Sequence, residues 1–476
     1  MFLNEYGTVD AIGWTGDKRS KLWRYNQHYF QDLNAISAGK RNEWHRNLLD
    51  DWLKSNTPFE GEGWEPYPCS LRIVNLVKWM LSGGSLPSEH LVNLGLQARW
   101  LKRNLETHIL GNHLLANAKA LIFAGCYFDG NEADDWFIEG QSILSRELDE
   151  QILEDGAHFE ISPMYHRTIL KDLLDILNLS CVYPKQFSSS QIQMVKKCIP
   201  RMIRWMEIMS HPDGEVAFFN DTAMGIASRA GELKDYAIRV GVDNYEGNIT
   251  KQESLRSSGY FRWANDQAVL IGDVGSIGPD YVPAHAHADT LSFEFSFEGQ
   301  RVIVNSGTSL YEESRERLRQ RGTSAHNTVE IDGENSSEVW KSFRVARRAN
   351  PINFQIKKHH EEWKQISCSH DGYKRLPEGY IHRRKWKLSQ KKLTVEDNVQ
   401  GSFSSAIARF YLHPKIRFEG NDLILPSGNI IRFSCRAGDL KIVDSTWHPE
   451  FGKVIKTRCI EVHMKKHNVT SWFEWD

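Results

Sequence analysis

Apolar positions in the first half of the chain recur at helical spacing. In "SEHLVNLGLQARWLKRNLE", Leu91, Leu94, Ala98, Leu101 and Leu105 fall three or four residues apart behind Ser88, which is placed to cap a helix. The stretches "NHLLANAKALIFAGCYF", "ADDWFIEGQSILSRELDEQIL", "SPMYHRTILKDLLDILNLSCVY" and "SQIQMVKKCIPRMIRWMEIMS" continue the pattern between short Gly, Asp or Pro breaks. Consecutive antiparallel helices with short connections predict a helical array or toroid over residues 40–240. Beyond residue 255 the period falls to two: "QAVLIGDVG", "TLSFEFSFEGQRVIVNSG", "HNTVEIDG" and "YIHRRKWKLSQKKLTVEDNV" read as strands and hairpins. The whole predicts an α+β multidomain chain, a helical domain over 1–250 and an antiparallel β-sandwich over 251–476, with Val242 to Gly259 as linker.

One strand breaks the ordinary alternation. In "PAHAHADTLSFEFSFEGQ" every second residue from His285 reads His285, His287, Asp289, Leu291, Phe293, Phe295, Phe297. A single strand would put two imidazoles and a carboxylate on one face with four core-type residues, and desolvating those groups requires partners for them.

Composition narrows the classes of function. Hydrophobic residues at 40% and charged residues at 25% describe a globular protein, and Lys+Arg 59 against Asp+Glu 61 gives no whole-chain attraction to nucleic acid. The 7 cysteines are dispersed without CxxC spacing, which predicts reduced, buried thiols. No apolar run is long enough to predict membrane insertion. The start "MFLNEYGTVDAIGW" lacks a secretion signal, so the chain reads as cytoplasmic as it stands and periplasmic if a leader has been removed. Aromatic content is high, with 16 Trp, 15 Tyr and 22 Phe, which suits sugar stacking as well as core packing.

Several polar clusters stand out, each with a bland reading beside the functional one. His113 and Asn117 share a helix face with Asn112 beside them, either as a site or as a helix start capped by Asn112. Ser162-Pro163 starts a helix and places Tyr165 in its first turn, where the positive end of the dipole favours a phenolate. His166 and Glu160 flank it; the bland reading is a Tyr packed on the preceding loop. Asn220-Asp221 follows an apolar "VAFF", and Arg72 opens an apolar helix where a lone Arg ordinarily snorkels. His285 and His287, with His326 elsewhere in the β-domain, have the spacing of metal ligands. The run Arg315, Arg317, Arg319, Arg321 hints at an anionic glycan, against the simpler reading of a solvated loop.

The order NHLLANAKAL, DG.HFE.SPMYH, NDTA, HAHADTLSFE, NSGT, HNTVEIDG closely resembles the heparinase II/III-like family of polysaccharide lyases, over residues 20–345. The resemblance implies an (α/α) helical toroid, an antiparallel β-sandwich, and β-elimination at a uronic acid. By motif, Asn112 would neutralise the substrate carboxylate with help from His113. Tyr165 would be the base, and His285 a second acid/base or a neutralising partner. Arg72, Asn117, Glu160, His166, Asn220 and Asp221 would bind substrate. The implied partner is an acidic polysaccharide, and the chemistry requires no cofactor. Relatives carry a structural zinc, whose ligands here would be His287, Asn305 and His326; Asn305 stands where many relatives have Asp, and an amide is the poorer ligand. No Tyr lies between Tyr311 and His326, where some alginate-cleaving relatives have one. The rival readings are an inverting glycoside hydrolase using Glu160 and Asp221, a non-catalytic polysaccharide-binding or assembly protein, and a metal-dependent hydrolase.

Overall fold

The computed structural model describes residues 1–16, 18–242, 249–360 and 362–476, so 243–248 of the expected linker lie outside the described residues. Two compact units divide the chain: Met1–Ile152, Ile169–Ile199 and Tyr236–Val242 form one, and Leu153–Thr168, Pro200–Asp235 and the described part of 243–476 form the other.

Among the described residues the helices are α1 (Val9–Ile12), α2 (Lys21–Gln27), α3 (Asn42–Ser55), α4 (Pro66–Leu81), α5 (Ser88–Arg103), α6 (Gly111–Tyr127), α7 (Asn131–Gln151), α8 (Pro163–Val182), α9 (Ser189–Ile208), α10 (Ala230–Arg239) and α11 (Arg315–Arg321). None is long and apolar enough to cross a membrane. Ser88 is the first residue of α5 rather than its cap, a place taken by Pro87. Helix α6 explains the first unit. Its sequence is apolar nearly all round, and every residue from Gly111 to Cys126 is buried except His113. Helix α7 approaches it through two glycines: a Cβ on Gly125 would lie 2.7 Å from the Ala133 carbonyl oxygen, and one on Gly140 2.8 Å from that of Ala118. The charge of Lys119, buried on α6, is matched by Asp172 at 2.7 Å and Asp175 at 2.6 Å.

In the second unit the first sheet has the order β1 (Gln252–Leu255), β2 (Tyr260–Ala264), β3 (Ala268–Asp273), β4 (Phe293–Phe297), β5 (Gln300–Ile303). Strand β1 thus occupies part of the expected linker. A four-stranded sheet contains β6 (Val329–Ile331), and β7 (Val339–Trp340) with β8 (Arg344–Val345) makes a small hairpin. An eight-stranded sheet draws on residues 351–474, and every strand pairing is antiparallel. One core joins the three larger sheets: Phe293, Phe295 and Phe297 from the first, Val329 and Phe410 from the second, Trp386, Val395 and Phe473 from the third.

The periodicity sends Leu291, Phe293, Phe295 and Phe297 to this core as expected. The strand, however, begins only at Phe293, because Leu291 takes the left-handed backbone at φ +65°. The "HAHAD" segment is therefore a loop, not the polar end of a strand. The opposite face of β4 is buried too, and Glu294 there accepts hydrogen bonds from the Phe218 N–H at 3.0 Å and His211 Nε2 at 2.8 Å. The cysteines are all free, but Cys181 is exposed, against the expectation of uniformly buried thiols.

The glycine approach sets a measurable limit. Gly140→Ala gains helix propensity of about 1 kcal/mol but overpacks a backbone contact, and the second effect is expected to win, lowering stability by about 1–3 kcal/mol in denaturant unfolding. A variant as stable as the parent would mean that α6 and α7 are free to separate.

Candidate active site

The chemistry-bearing side chains of the second unit gather around one carboxylate. Asp221 is fully buried, and its oxygens accept from His285 Nδ1 at 3.0 Å, His287 Nε2 at 2.8 Å and Arg317, whose Nη1 and Nη2 grip both oxygens, the latter at 2.7 Å. Burial alone would raise its pKa. The Arg317 charge and the hydrogen bonds from His285, His287 and Arg317 instead hold it well below the usual carboxylate range. The Asp221 backbone takes part as well: its N–H donates to the His285 carbonyl at 2.9 Å, and its carbonyl accepts from Ser162 Oγ at 2.7 Å.

Ser162 and Pro163 behave as the helix-start signal predicts. Pro163 opens α8, and Ser162 Oγ accepts from the Tyr165 N–H at 3.3 Å. Tyr165 stacks on His285 with ring centroids 4.0 Å apart, and its hydroxyl lies 3.0 Å from that of Tyr311. Burial, with Asp221 adding, pushes the Tyr311 phenol well above its ordinary range, so it keeps its proton, and either hydroxyl of the pair can donate to the other. Sequence reasoning passed over Tyr311. The Arg run is likewise no loop: it forms α11, with Arg317 and Arg321 fully buried, Arg319 half-buried and Arg315 exposed. The available signal was Ser314, three residues before Arg317, whose Oγ caps α11 by accepting from the Arg317 N–H at 3.1 Å.

Glu160 lies on the other side of His285, its Oε2 3.6 Å from Nε2. A histidine ring thus stands between Glu160 and Asp221, and Asp221 is saturated by a guanidinium and two imidazoles. This is not the pair of opposed carboxylates that an inverting hydrolase needs.

Several residues read as substrate contacts are buried and bonded within the protein. Asn220, at φ +54°, donates to the Ile161 carbonyl at 3.1 Å and accepts from the His287 N–H at 3.0 Å. His166 is buried between the His158 N–H at 3.1 Å and the Met202 carbonyl at 2.9 Å. Asp221 has no exposed surface to offer a sugar. In the first unit Asn117 is buried, bonded to Ser70 Oγ at 3.0 Å and Glu106 Oε2 at 2.9 Å. Arg72 is buried as well, 4.1 Å over the Trp52 ring and bonded to Gln97 Oε1 at 2.8 Å. All five are buried and hydrogen-bonded within the protein.

The other first-unit candidates sit at the start of α6. Leu110 takes the cap position, so Asn112 is inside the first turn and does not cap. His113 is the partly exposed residue of this buried stretch; its Nδ1 meets Glu106 Oε1 at 2.9 Å and its ring lies 4.3 Å from that of Tyr67. Glu106, seven residues before His113 in "ETHILGNH", is a further residue the motifs did not flag.

The donor set expected for zinc does not fit one. His287 Nδ1 and His326 Nε2 approach to 3.3 Å, but the Asn305 oxygen already accepts from the Asn327 N–H at 3.0 Å and Nδ2 at 3.2 Å. Among the described residues no third His, Cys, Asp or Glu donor converges with the two imidazoles. The spacing is also no metal signature by itself, since His370 Nε2 and His382 Nδ1 repeat it at 3.3 Å.

Family models for the heparinase II/III N-terminus and the heparinase II/III-like C-terminal region match residues 12–238 and 250–476. The chain belongs to the heparinase II/III-like family. A heparin-sulfate lyase of Bacteroides stercoris is 26% identical over 329 residues, 64% of this chain and 46% of that protein. The chain thus spans about half the length of that lyase. The FtsZ-localized protein C of Caulobacter vibrioides is 23% identical over 405 residues, 78% of this chain and 65% of that protein. Among solved structures, the crystal structure of heparinase III matches with a TM-score of 0.78 at 18% identity, covering 99% of this chain and 79% of that one. That likeness concerns the fold: this heparinase II/III-like chain has an N-terminal (α/α) helical toroid followed by an antiparallel β-sandwich domain.

Two outcomes follow from the electrostatics. Arg317→Gln strands a buried carboxylate and is expected to destabilise the protein by about 3–5 kcal/mol, seen as a lowered denaturation midpoint; a midpoint unchanged within about 1 kcal/mol would show Asp221 to be hydrated in solution. Burial lowers the pKa of His287 to about 4 and of His166 to about 3. Both stay neutral when folded, whereas an unfolded imidazole takes a proton below about pH 6.5, so the unfolded state binds more protons and stability falls as pH drops through that range. The depressed Asp221 acts only lower, its contribution present above the unfolded carboxylate value of about 3.9 and lost beneath it. Thermal midpoints recorded at about pH 7, 6 and 5 are expected to decline; a flat profile would place these imidazoles in contact with water.

Proposed function

We propose that this protein is a polysaccharide lyase that cleaves a uronic-acid-containing polysaccharide by β-elimination, acting on a bacterial capsular or exopolysaccharide or a glycosaminoglycan-like chain. The observation that carries the reading is Tyr165: a phenol in the first turn of a helix, stacked on His285 and within hydrogen-bond distance of a second phenol, Tyr311, that keeps its proton. The heparin-sulfate lyase among the relatives supports it.

The elimination needs three things. The C5–H bond is weakly acidic because the adjacent carboxylate is already charged, and neutralising that carboxylate lets the pair left at C5 spread into it. Asn112 and His113 take this task by family motif. The Tyr165 phenolate removes the C5 proton, favoured by the helix N-terminus and the Tyr311 donor. The electron pair then forms the C4–C5 double bond as the C4–O4 bond breaks, and the departing O4 takes a proton from Tyr165, now a phenol. His285, with Nδ1 fixed on Asp221, presents Nε2 as the second proton-carrying atom.

A second reading has its own support. The Caulobacter relative carries the name of an FtsZ-localized protein rather than of a lyase, and the reading it keeps open is a polysaccharide-binding or assembly protein that retains the fold without turnover.

Ultraviolet absorbance separates these readings, because elimination leaves a conjugated unsaturated uronate whereas hydrolysis and binding do not. On a panel of acidic polysaccharides, absorbance is expected to rise with the native protein and to fall on the order of 10³-fold in rate for Tyr165→Phe and His285→Ala. Tyr311→Phe is expected to shift the acid limb of the kcat/KM profile to higher pH, since the phenolate loses a donor. New reducing ends without absorbance would sink the lyase reading in favour of hydrolysis, and silence on every glycan would leave the binding protein.

A further inference from the structure

We propose that the β7–β8 hairpin is a subsite for an anionic sugar unit beside the Tyr165–His285 pair, read by the aromatic faces of Trp340 and Phe343 and the charges of Lys341 and Arg344. The inference rests on the polysaccharide reading of the same site and names how a neighbouring sugar of that chain is held.

The hairpin is too small to hold itself. Its ladder is two pairs, Val339 with Val345 and Trp340 with Arg344, around the loop Lys341-Ser342-Phe343, where Lys341 takes φ +47°. Isolated ribbons of this size do not persist in water. Two buried arginines of α11 grip its backbone instead. Arg317 donates to the Ser342 carbonyl at 3.1 and 2.9 Å, while Arg321 donates to Lys341 O at 3.0 Å and Arg344 O at 3.3 Å. Arg321 also donates twice to the Ala286 carbonyl, at 3.2 and 3.0 Å, between His285 and His287. The same guanidinium therefore fixes the hairpin and the loop that carries the site's histidines.

What this pinned backbone presents is not core. Trp340 is 48% exposed and Phe343 37%, although the Phe343 ring stands 6.0 Å from that of His285 and 5.2 Å from that of Tyr311. Lys341 and Arg344 are exposed, Lys341 lies 5.9 Å over the Trp340 ring, and among the described residues neither cation has a carboxylate partner. Exposed aromatic faces offer stacking to the C–H face of a sugar ring, and unpaired cations offer charge to a carboxylate or sulfate. Because the backbone is already fixed, little ordering opposes binding.

The test is calorimetric titration of size-defined heparan sulfate and alginate oligosaccharides into Tyr165→Phe, with and without Trp340→Ala or the pair Lys341→Ala and Arg344→Ala. Each addition is expected to weaken binding at least about fivefold, and the charge pair is expected also to flatten the dependence on salt. Thermal midpoints should stay unchanged, since the altered side chains are exposed. Affinities equal to that of Tyr165→Phe would overturn the proposal, as would failure of that parent to bind any acidic oligosaccharide. If the hairpin variants weaken binding while the native protein forms no unsaturated product, the lyase reading falls and the subsite stands.

Discussion

A carboxylate without exposure to solvent, held by one guanidinium and two imidazoles, is the interaction on which the candidate site depends. Removing a charge from water is expensive, and an ion pair offsets it only where geometry is good and every remaining lone pair is used. Asp221 meets both conditions: Arg317 grips its two oxygens, and His285, His287 and Thr308 donate to them as well. Its backbone extends the effect. The same residue bonds the His285 carbonyl and the Ser162 hydroxyl, and Ser162 in turn receives the Tyr165 N–H. One residue thus sets the position of the phenol, of the imidazole stacked on it, and of the next histidine along.

The partner arginine does more than neutralise. Its guanidinium lies 4.9 Å over the Tyr311 ring and 5.4 Å over that of Phe343, while its Nε and Nη2 hold the Ser342 carbonyl. Charge balance, the second phenol and the hairpin therefore share one side chain. With Arg317 opposing it, Asp221 orients His285 without leaving a net negative charge beside the Tyr165–His285 pair, which a lone buried carboxylate would do.

Much of this was legible in the chain and some was not, for reasons that differ by residue. The two periods marked the helical and sheet regions because each buried face imposes its own spacing. Ser162-Pro163 announced α8, and Tyr165 with it, because capping is a local interaction. "HAHAD" read as strand because alternation ignores backbone handedness, and Leu291 at φ +65° interrupts it. Tyr311 and the pairing of Arg317 with Asp221 were missed because the contacts span the sequence, 146 residues from Tyr165 to Tyr311 and 96 from Asp221 to Arg317, whereas Glu106 lies only seven residues from His113 but outside the motifs. Asn117, His166 and Asn220, all buried, show the complementary difficulty. A polar residue in a motif looks alike whether it meets a ligand or satisfies a buried backbone group.

The second unit supplies its own control for that distinction. His382 donates to Asp397 at 2.8 Å, Arg384 grips the same carboxylate at 2.7 and 3.0 Å, and His370 meets His382 at 3.3 Å. The pattern of imidazole pair, carboxylate and guanidinium matches that of His326, His287, Asp221 and Arg317. In both, burial lowers the histidines and an arginine helps to keep the carboxylate low. Perturbed pKa values alone would nominate both clusters as sites. The second is closed: His370, His382, Arg384 and Asp397 are buried, and Arg384 spends its remaining donors on the Leu291 and Asn327 carbonyls. It braces the segments that lead out of "HAHAD" and into "HNT". The first cluster differs by one addition, His285, which shares the carboxylate yet keeps 11% of its side chain in solvent next to a half-buried tyrosine. The same polar construction is sealed in one place and, in the other, reaches solvent through one more ring.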